Sequence, residues 1–213
     1  MTLCMSHEIN IGILALQGDI EENIVATRDA MSSLSLNAYA MPVRYQKELE
    51  SVDGLIIPGG ESTVIGNLLT LKSGIRTTLQ KRLIQGMPAM GTCAGMIVMA
   101  KKAYDSVVGE MNQQLLGVLD IVVERNSFGR QNESFEANLP IDGLEGEDFR
   151  GVFIRAPSVT KVGTNVKILG RFAEKVVAVQ QGNIIGTSFH PELSGDLRFH
   201  KLLVALIMRS RKE

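Results

Sequence analysis

Residues 87–100 read MPAMGTCAGMIVMA, an apolar stretch interrupted by the letters GTCAG at residues 91–95. The apolar residues before the first glycine predict a buried strand, and those that follow Cys93 predict a helix over residues 93–100. In an open α/β sheet, ligands bind beyond the carboxyl ends of the strands, which is where this turn would carry the thiol. The stretch therefore predicts an α/β fold with Cys93 at the rim of its sheet.

The rest of the chain extends this pattern. Short apolar runs at residues 9–16, 36–41 and 54–57 are typical of strands buried on both faces. Helical patterns lie between them; Asp19 is expected to cap the first, and Ser62 or Thr63 the second. Later strands are separated by short turns such as QGN at residues 181–183. We expect a mostly parallel central sheet flanked by helices, with an antiparallel extension in the second half.

Composition limits the classes of function. The chain has 213 residues, of which 45% are apolar, so we expect one domain over residues 1–213 with a short flexible tail over residues 1–8. The net charge of −1 argues against binding to nucleic acid or to a membrane surface. No apolar run approaches the roughly 20 residues of a membrane span, and no signal peptide is evident, so a cytoplasmic protein is expected. The two cysteines, Cys4 and Cys93, do not suggest a disulfide scaffold.

Cys93 lies in a Gly-x-Cys-x-Gly frame, the thiol version of the nucleophile elbow. Such a turn is sharp and strained, and its flanking residues must be small. The N-terminus of the following helix would favour a thiolate, and the backbone N–H of Ala94 could donate to a developing oxyanion. The alternative is an inert core cysteine, and the frame by itself leaves the two interpretations about even.

His190 follows the apolar run at residues 184–189, and Glu192 lies two residues further on. An imidazole at a strand end, oriented by a carboxylate, is what a cysteine nucleophile needs as its base and later its acid. A metal site at this pair lacks further ligands at a suitable spacing, and an ordinary turn histidine is the other alternative. His7 falls in the tail, and His200 is assigned to surface or packing.

The sequence PGGEST at residues 58–63 predicts a glycine-rich turn between a strand and a helix. A P-loop ending is missing and Glu61 would repel phosphate, so the turn is expected to supply a second oxyanion donor, with Glu61 and Ser62 facing a substrate that carries an ammonium group. An ordinary turn is the alternative. Arg125 and Arg155, at strand ends, would suit a substrate carboxylate or a structural ion pair.

Together, the segments PGGES, GTCAG and FHPE resemble the class I (triad) glutamine amidotransferases, which have a flavodoxin-like domain. The stretches LALQGD, VERNSFGRQNESFEA, GVFIRAP and SFHPEL resemble more specifically the PdxT/SNO family, the glutaminase subunits of pyridoxal 5′-phosphate synthase. The resemblance runs from about Ile9 to the last helix, nearly the whole chain.

The resemblance implies that Cys93 is the nucleophile, with His190 and Glu192 as its relay. It implies backbone oxyanion donors at Gly60 and Ala94, and L-glutamine as the substrate. The residues implied to hold glutamine are Gly60, Glu61, Ser62, Arg125, Ile154 and Arg155. No cofactor and no metal are implied.

The family releases ammonia to a separate synthase subunit of the PdxS/SNZ type, which is the expected protein partner. One departure is Asn23, at a place where the family often has histidine, in a turn thought to face that partner. Three alternatives stay open: a glutaminase serving another acceptor synthase, a non-catalytic binding subunit of the same fold, and a cysteine peptidase or γ-glutamyl hydrolase.

Overall fold

The structure, a computed structural model, describes residues 8–72, 74–105, 109–110, 113–129 and 133–212. The first half alternates strands and helices, as predicted. Its elements are β1 (Ile9–Leu14), α1 (Ile20–Ser33), β2 (Ala38–Val43), α2 (Gln46–Glu50), β3 (Gly54–Ile57), α3 (Ser62–Leu71), α4 (Ile75–Ile84), β4 (Ala89–Thr92) and α5 (Ala94–Met99). Cys4, His7 and nearly all of the expected tail lie outside the described residues.

The second half is built mainly of strands. Its elements are β5 (Ala100–Asp105), β6 (Gly109–Glu110), β7 (Leu119–Arg125), β8 (Ser134–Leu139), β9 (Phe149–Ile154), β10 (Ser158–Val162), β11 (Lys167–Phe172), β12 (Lys175–Gln181), β13 (Ile184–Thr187), a 3₁₀ helix (Pro191–Leu193) and α6 (Arg198–Ser210). Among the described residues, no helix combines the length and the apolar character needed to cross a membrane.

The central sheet confirms the predicted fold class. Its strands follow the order β2-β1-β3-β4-β13-β12-β10-β7-β5-β6, with β11 paired to β12. The block from β2 to β13 is parallel, and β12, β10 and β11 form the antiparallel extension. A separate antiparallel pair joins β8 to β9.

Helices cover both faces of the parallel block. In β3, Leu55 and Ile57 pack in one core cluster with residues of α3, α4 and α5, whereas Ile56 packs in the other with residues of α1 and α6. This alternation follows from the two-residue period of a strand. Buried phenylalanines, including Phe149 and Phe199 with their rings edge to face, fill the side that carries α6.

The register between β4 and β13 positions the candidate site. Gly91 pairs with Gly186 and Thr92 with Thr187, so these two parallel strands end side by side. The Cys93 N–H donates to the Thr187 carbonyl oxygen at 2.8 Å. The residues that follow each strand therefore emerge at one rim, as expected for the carboxyl ends of a parallel sheet.

Two helix-capping predictions were wrong. Asp19 holds the N-cap position of α1, but its side chain makes no capping hydrogen bond. The N-cap of α3 is Glu61, not Ser62 or Thr63, and the Glu61 carboxylate accepts from the Thr63 N–H at 3.3 Å. At α1 the fold supplies the Asp19 carboxylate with a distant partner, His190, whereas at α3 the cap is simply the residue before the predicted one.

Candidate active site

Cys93 occupies a strained elbow between β4 and α5. Its φ of +48° lies in the left-handed region, which is costly for a residue with a side chain. The neighbouring glycines are required by space: a Cβ at Gly91 would lie 2.3 Å from a methyl carbon of Met99, and one at Gly95 would lie 1.9 Å from the Ile57 carbonyl oxygen. Cys93 as a residue is only 7% exposed, and its sulfur lies 3.8 Å from the Ile154 carbonyl oxygen.

His190 lies just after β13 and faces this elbow. Its backbone N–H donates to Val152, and its Nδ1 lies 2.9 Å from the Glu192 Oε1. The Glu192 side chain is fully buried behind the imidazole, on the 3₁₀ helix. Cys93 and His190 both line one cavity. The structure thus brings together three residues that the sequence separates by up to 99 positions.

Burial of His190 opposes its charged form, but hydrogen bonds to Asp19, Cys93 and Glu192 outweigh that effect. Together they raise the pKa of His190 from 6.5 to about 12. A charged imidazole beside the Cys93 sulfur stabilises a thiolate, the reactive form of cysteine.

Asp19 is a part of this cluster that the sequence analysis had assigned only to helix capping. Its Oδ2 lies 3.2 Å from the His190 Nδ1. Asp19 comes after β1, and residues that follow parallel strands are candidates for a functional site. This position is the sequence signal that could have identified it. Ligand atoms of Asp19, His190 and Glu192 lie within 4.8 Å of one another, but both carboxylates face the same ring nitrogen. Among the described residues, His190 is the one histidine of this group.

A cavity of about 260 Å³ opens over the cluster. Its walls are formed by the glycine-rich turn, the elbow and the ends of several strands. The predicted site residues that line it are Gly60, Glu61, Ser62, Cys93, Ala94, Arg125, Ile154, Arg155 and His190, and they are joined by Gln17, Asp19, Ile97 and Asn126. Glu192 lies behind His190 and is not part of the lining.

Charged and polar groups converge at one end of this cavity. The Arg125 Nη2 lies 2.9 Å from the Glu61 Oε1, and the Gln17 Oε1 accepts from the Glu61 backbone N–H at 2.8 Å. Ser62 is 2% exposed, and its hydroxyl has no partner among the described residues. A buried hydroxyl without a hydrogen-bond partner is costly unless a ligand supplies the missing hydrogen bond.

Asn23 does not lie on the surface of the chain. Its side chain is fully buried, and its Nδ2 donates to the Asp19 carbonyl oxygen at 2.7 Å. The exposed residues of the same turn are Glu21 and Glu22. Asn23 thus contacts the candidate site through Asp19, and its side chain does not reach the surface of the single chain.

Comparison with known proteins gives consistent matches over nearly the whole chain. The SNO glutamine amidotransferase family model matches residues 13–209. The pyridoxal 5′-phosphate synthase subunit PdxT of Nitrosopumilus maritimus is 46% identical over 202 residues, covering 95% of this chain and 98% of the relative. The subunit of the same name from Streptomyces coelicolor is 49% identical over 207 residues, covering 97% and 98%. A solved structure of a glutamine amidotransferase, 44% identical, superposes with a TM-score of 0.81 and covers 93% of this chain and 98% of its own.

Proposed function

The chain belongs to the SNO glutamine amidotransferase family, and on that premise we propose that Cys93, His190 and Glu192 carry out its chemistry. As a member, it is a glutamine-hydrolysing subunit whose ammonia feeds vitamin B6 synthesis. The observation that carries the assignment of residues is the cluster at the sheet rim, where a strained thiol, a buried imidazole and a buried carboxylate meet beside a cavity.

The chemistry follows from these positions. The Cys93 thiol gives its proton to the imidazole of His190, and the resulting thiolate attacks the side-chain amide carbon of glutamine. His190 then gives the proton to the leaving nitrogen, and ammonia departs as the C–N bond breaks. Water, deprotonated by the same imidazole, hydrolyses the γ-glutamyl thioester to glutamate and regenerates the thiol. Glu192 holds the ring orientation and stabilises its charged form.

The oxyanion that forms at the amide carbonyl needs two donors close to the sulfur. Ala94 supplies the backbone N–H directly after the nucleophile, the position that a nucleophile elbow uses. Gly60, which also lines the cavity, has a φ of +148° that favours glycine, and a Cβ there would lie 2.5 Å from the Gln17 Oε1. Its backbone can therefore approach a ligand closely, which suits the second donor.

The charges in the cavity match an α-amino acid. The Arg125 guanidinium suits a carboxylate and the Glu61 carboxylate suits an ammonium group, so a zwitterion would separate the pair and contact both. Ser62 offers a buried hydroxyl, and Ile154 and the exposed Arg155 also line the cavity. This arrangement favours glutamine itself over a peptide, whose amide bonds would remove one or both charges.

We also propose that the partner is a separate synthase subunit of the PdxS/SNZ type, which receives the ammonia. The relatives are named as subunits of pyridoxal 5′-phosphate synthase, and this supports the pairing. The cavity is walled by Asp19, directly before α1, so a partner bound to the exposed first turn of α1 would lie beside the reacting atoms.

Replacement of Cys93 tests the assignment. Cys93→Ala is expected to lose glutamine hydrolysis in the presence of the synthase subunit, whereas Cys4→Ala, the matched control, retains it. The assay is ammonia release with and without the partner, together with labelling of the thiol by a glutamine-like electrophile. Hydrolysis that persists in Cys93→Ala would refute the proposed nucleophile. Peptide cleavage without any partner would favour a peptidase or γ-glutamyl hydrolase.

A further inference from the structure

The carboxylate of Asp19 points away from the helix that it begins. An aspartate at an N-cap normally accepts a hydrogen bond from a backbone N–H in the first turn. Here that bond is not made, and the Asp19 Oδ2 lies 3.2 Å from the His190 Nδ1 instead. The helix therefore begins without a side-chain cap, and the carboxylate faces the imidazole instead.

The backbone of Asp19 is anchored on both sides. Its N–H donates to the Gly59 carbonyl oxygen at 3.1 Å, and its own carbonyl accepts from the Asn23 Nδ2 at 2.7 Å. Because Asn23 is fully buried, this second contact is protected from water. A Cβ at Gly59 would lie 2.3 Å from the His190 Cε1 and 2.6 Å from the Asp19 Oδ2, so only a glycine lets the two side chains meet.

We propose that Asp19 is a positioning residue for His190, a second carboxylate that acts with Glu192 to hold the imidazole in its charged form opposite Cys93. The proposal rests on the proposed roles of Cys93 and His190. The two carboxylates share one ring N–H but differ in setting: the Glu192 side chain is fully buried, whereas the Asp19 side chain is 36% exposed. Glu192 therefore provides the contact to His190 that is shielded from water, and Asp19 provides the contact that is open to solvent.

The charges around the imidazole support this division. The titratable groups in contact with His190 are Asp19 before α1, Cys93 at the elbow and Glu192 on the 3₁₀ helix. The contacts of His190 with Asp19 and Glu192 both act to raise the pKa of its ring, against the effect of burial.

More distant charged groups of the same cavity are Glu61, Arg125 and Arg155, and the first two form an ion pair with each other. An opposite charge within about 4–6 Å shifts a pKa by roughly 1–3 units, and the exposure of Asp19 places its contribution near the lower end.

The role of Asp19 leaves the proton balance of the reaction unchanged. With Nδ1 facing the carboxylates, Nε2 is the nitrogen that takes the thiol proton and returns it to the leaving ammonia. Asp19 exchanges no proton in these steps. It favours the state in which sulfur is negative and imidazole is positive, and it stabilises the protonated imidazole that acts as the acid.

The first experiment is an NMR titration of the full chain with ¹⁵N-labelled histidine. It uses Cys93→Ala as the background. The thiol raises the pKa of His190, so removing it lowers the pH at which the His190 ring titrates. Asp19→Asn in that background is expected to lower the His190 midpoint by about one pH unit. Glu22→Gln, which removes an exposed charge from the same helix, is expected to leave it unchanged. Equal midpoints with and without Asp19→Asn would overturn the proposal.

The second experiment measures kcat and KM for glutamine against pH in the complex with the synthase subunit. In Asp19→Asn the alkaline limb of kcat is expected to move to lower pH with KM little changed, and Asp19→Glu is expected to restore part of the shift. A uniform loss of kcat at every pH, with a lower Tm, would show a purely structural role and refute the proposal. If the wild-type complex fails to hydrolyse glutamine, the proposed function fails, while the NMR titration still decides the role of Asp19.

Discussion

Replacing His200 with methionine is expected to make the folded protein less sensitive to acid. His200 lies in α6, which packs against α1, and is 1% exposed. Neither of its ring nitrogens has a hydrogen-bond partner among the described residues. Burial lowers the pKa of His200 from 6.5 to about 4, because a charged ring in this position would lose its hydration.

The sign and size of the effect follow from proton binding. Between pH 6.5 and about 4 the unfolded chain binds a proton at His200 that the folded chain does not, so the free energy of unfolding decreases as pH falls through this range. At about 1.36 kcal/mol per unit, the full shift corresponds to about 3 kcal/mol. Between pH 7 and pH 5 the same linkage gives about 2 kcal/mol.

The assay is urea unfolding of wild type and His200→Met at pH 7 and pH 5, with circular dichroism as the signal that monitors unfolding. Carboxylates titrate alike in both proteins, so their contribution cancels in the comparison. Wild type is expected to lose about 2 kcal/mol more than the variant over this interval. Lys201→Met, a substitution next to His200 on the same helix that keeps the imidazole, is expected to behave as wild type. If wild type and His200→Met lose the same free energy of unfolding between pH 7 and pH 5, the reasoning is refuted.

Three further substitutions test the geometry of the site. Gly95→Ala is expected to abolish hydrolysis and lower the Tm, because its Cβ would lie 1.9 Å from the Ile57 carbonyl oxygen; unchanged kinetics and Tm would contradict the elbow. Glu192→Gln is expected to lower kcat by about 100-fold or more with little change in KM, because the amide keeps the volume but not the charge beside His190. A change in KM alone would argue against that role. Arg125→Lys is expected to raise the KM for glutamine more than it lowers kcat, because lysine loses bidentate contact with a carboxylate. An unaltered KM would remove Arg125 from substrate binding.

The elements that sequence reasoning missed share a weak apolar signal. β8 reads SFEANL and pairs only with β9, leaving alternate residues in solvent. β5 reads AKKAYD, with two lysines in its middle. Such strands are stabilised by pairing with strands that are distant in the chain. Their own amino-acid sequences do not distinguish them from loops.

The strongest site predictions came from glycine positions and strand ends. GTCAG and PGGEST mark turns that need small residues or unusual backbone angles, and those needs are local. The structure has the predicted elbow, at Cys93, and the residues predicted to bind glutamine lie around the same cavity as Cys93 and His190. It also shows what the motifs did not reveal, the carboxylate of Asp19 beside His190 and the ion pair of Glu61 with Arg125.

The sequence by itself determined the alternation of strands and helices and the residue types at each strand end. These depend on apolar periodicity and on backbone conformations governed by near neighbours in the chain. Only the tertiary structure decided which partner each polar group takes. Asp19 could have capped its own helix, and Glu61 and Arg125 lie 64 residues apart. Local and distant hydrogen-bond partners compete for each polar group. Packing of the sheet determines the outcome, because it decides which groups come within hydrogen-bonding distance.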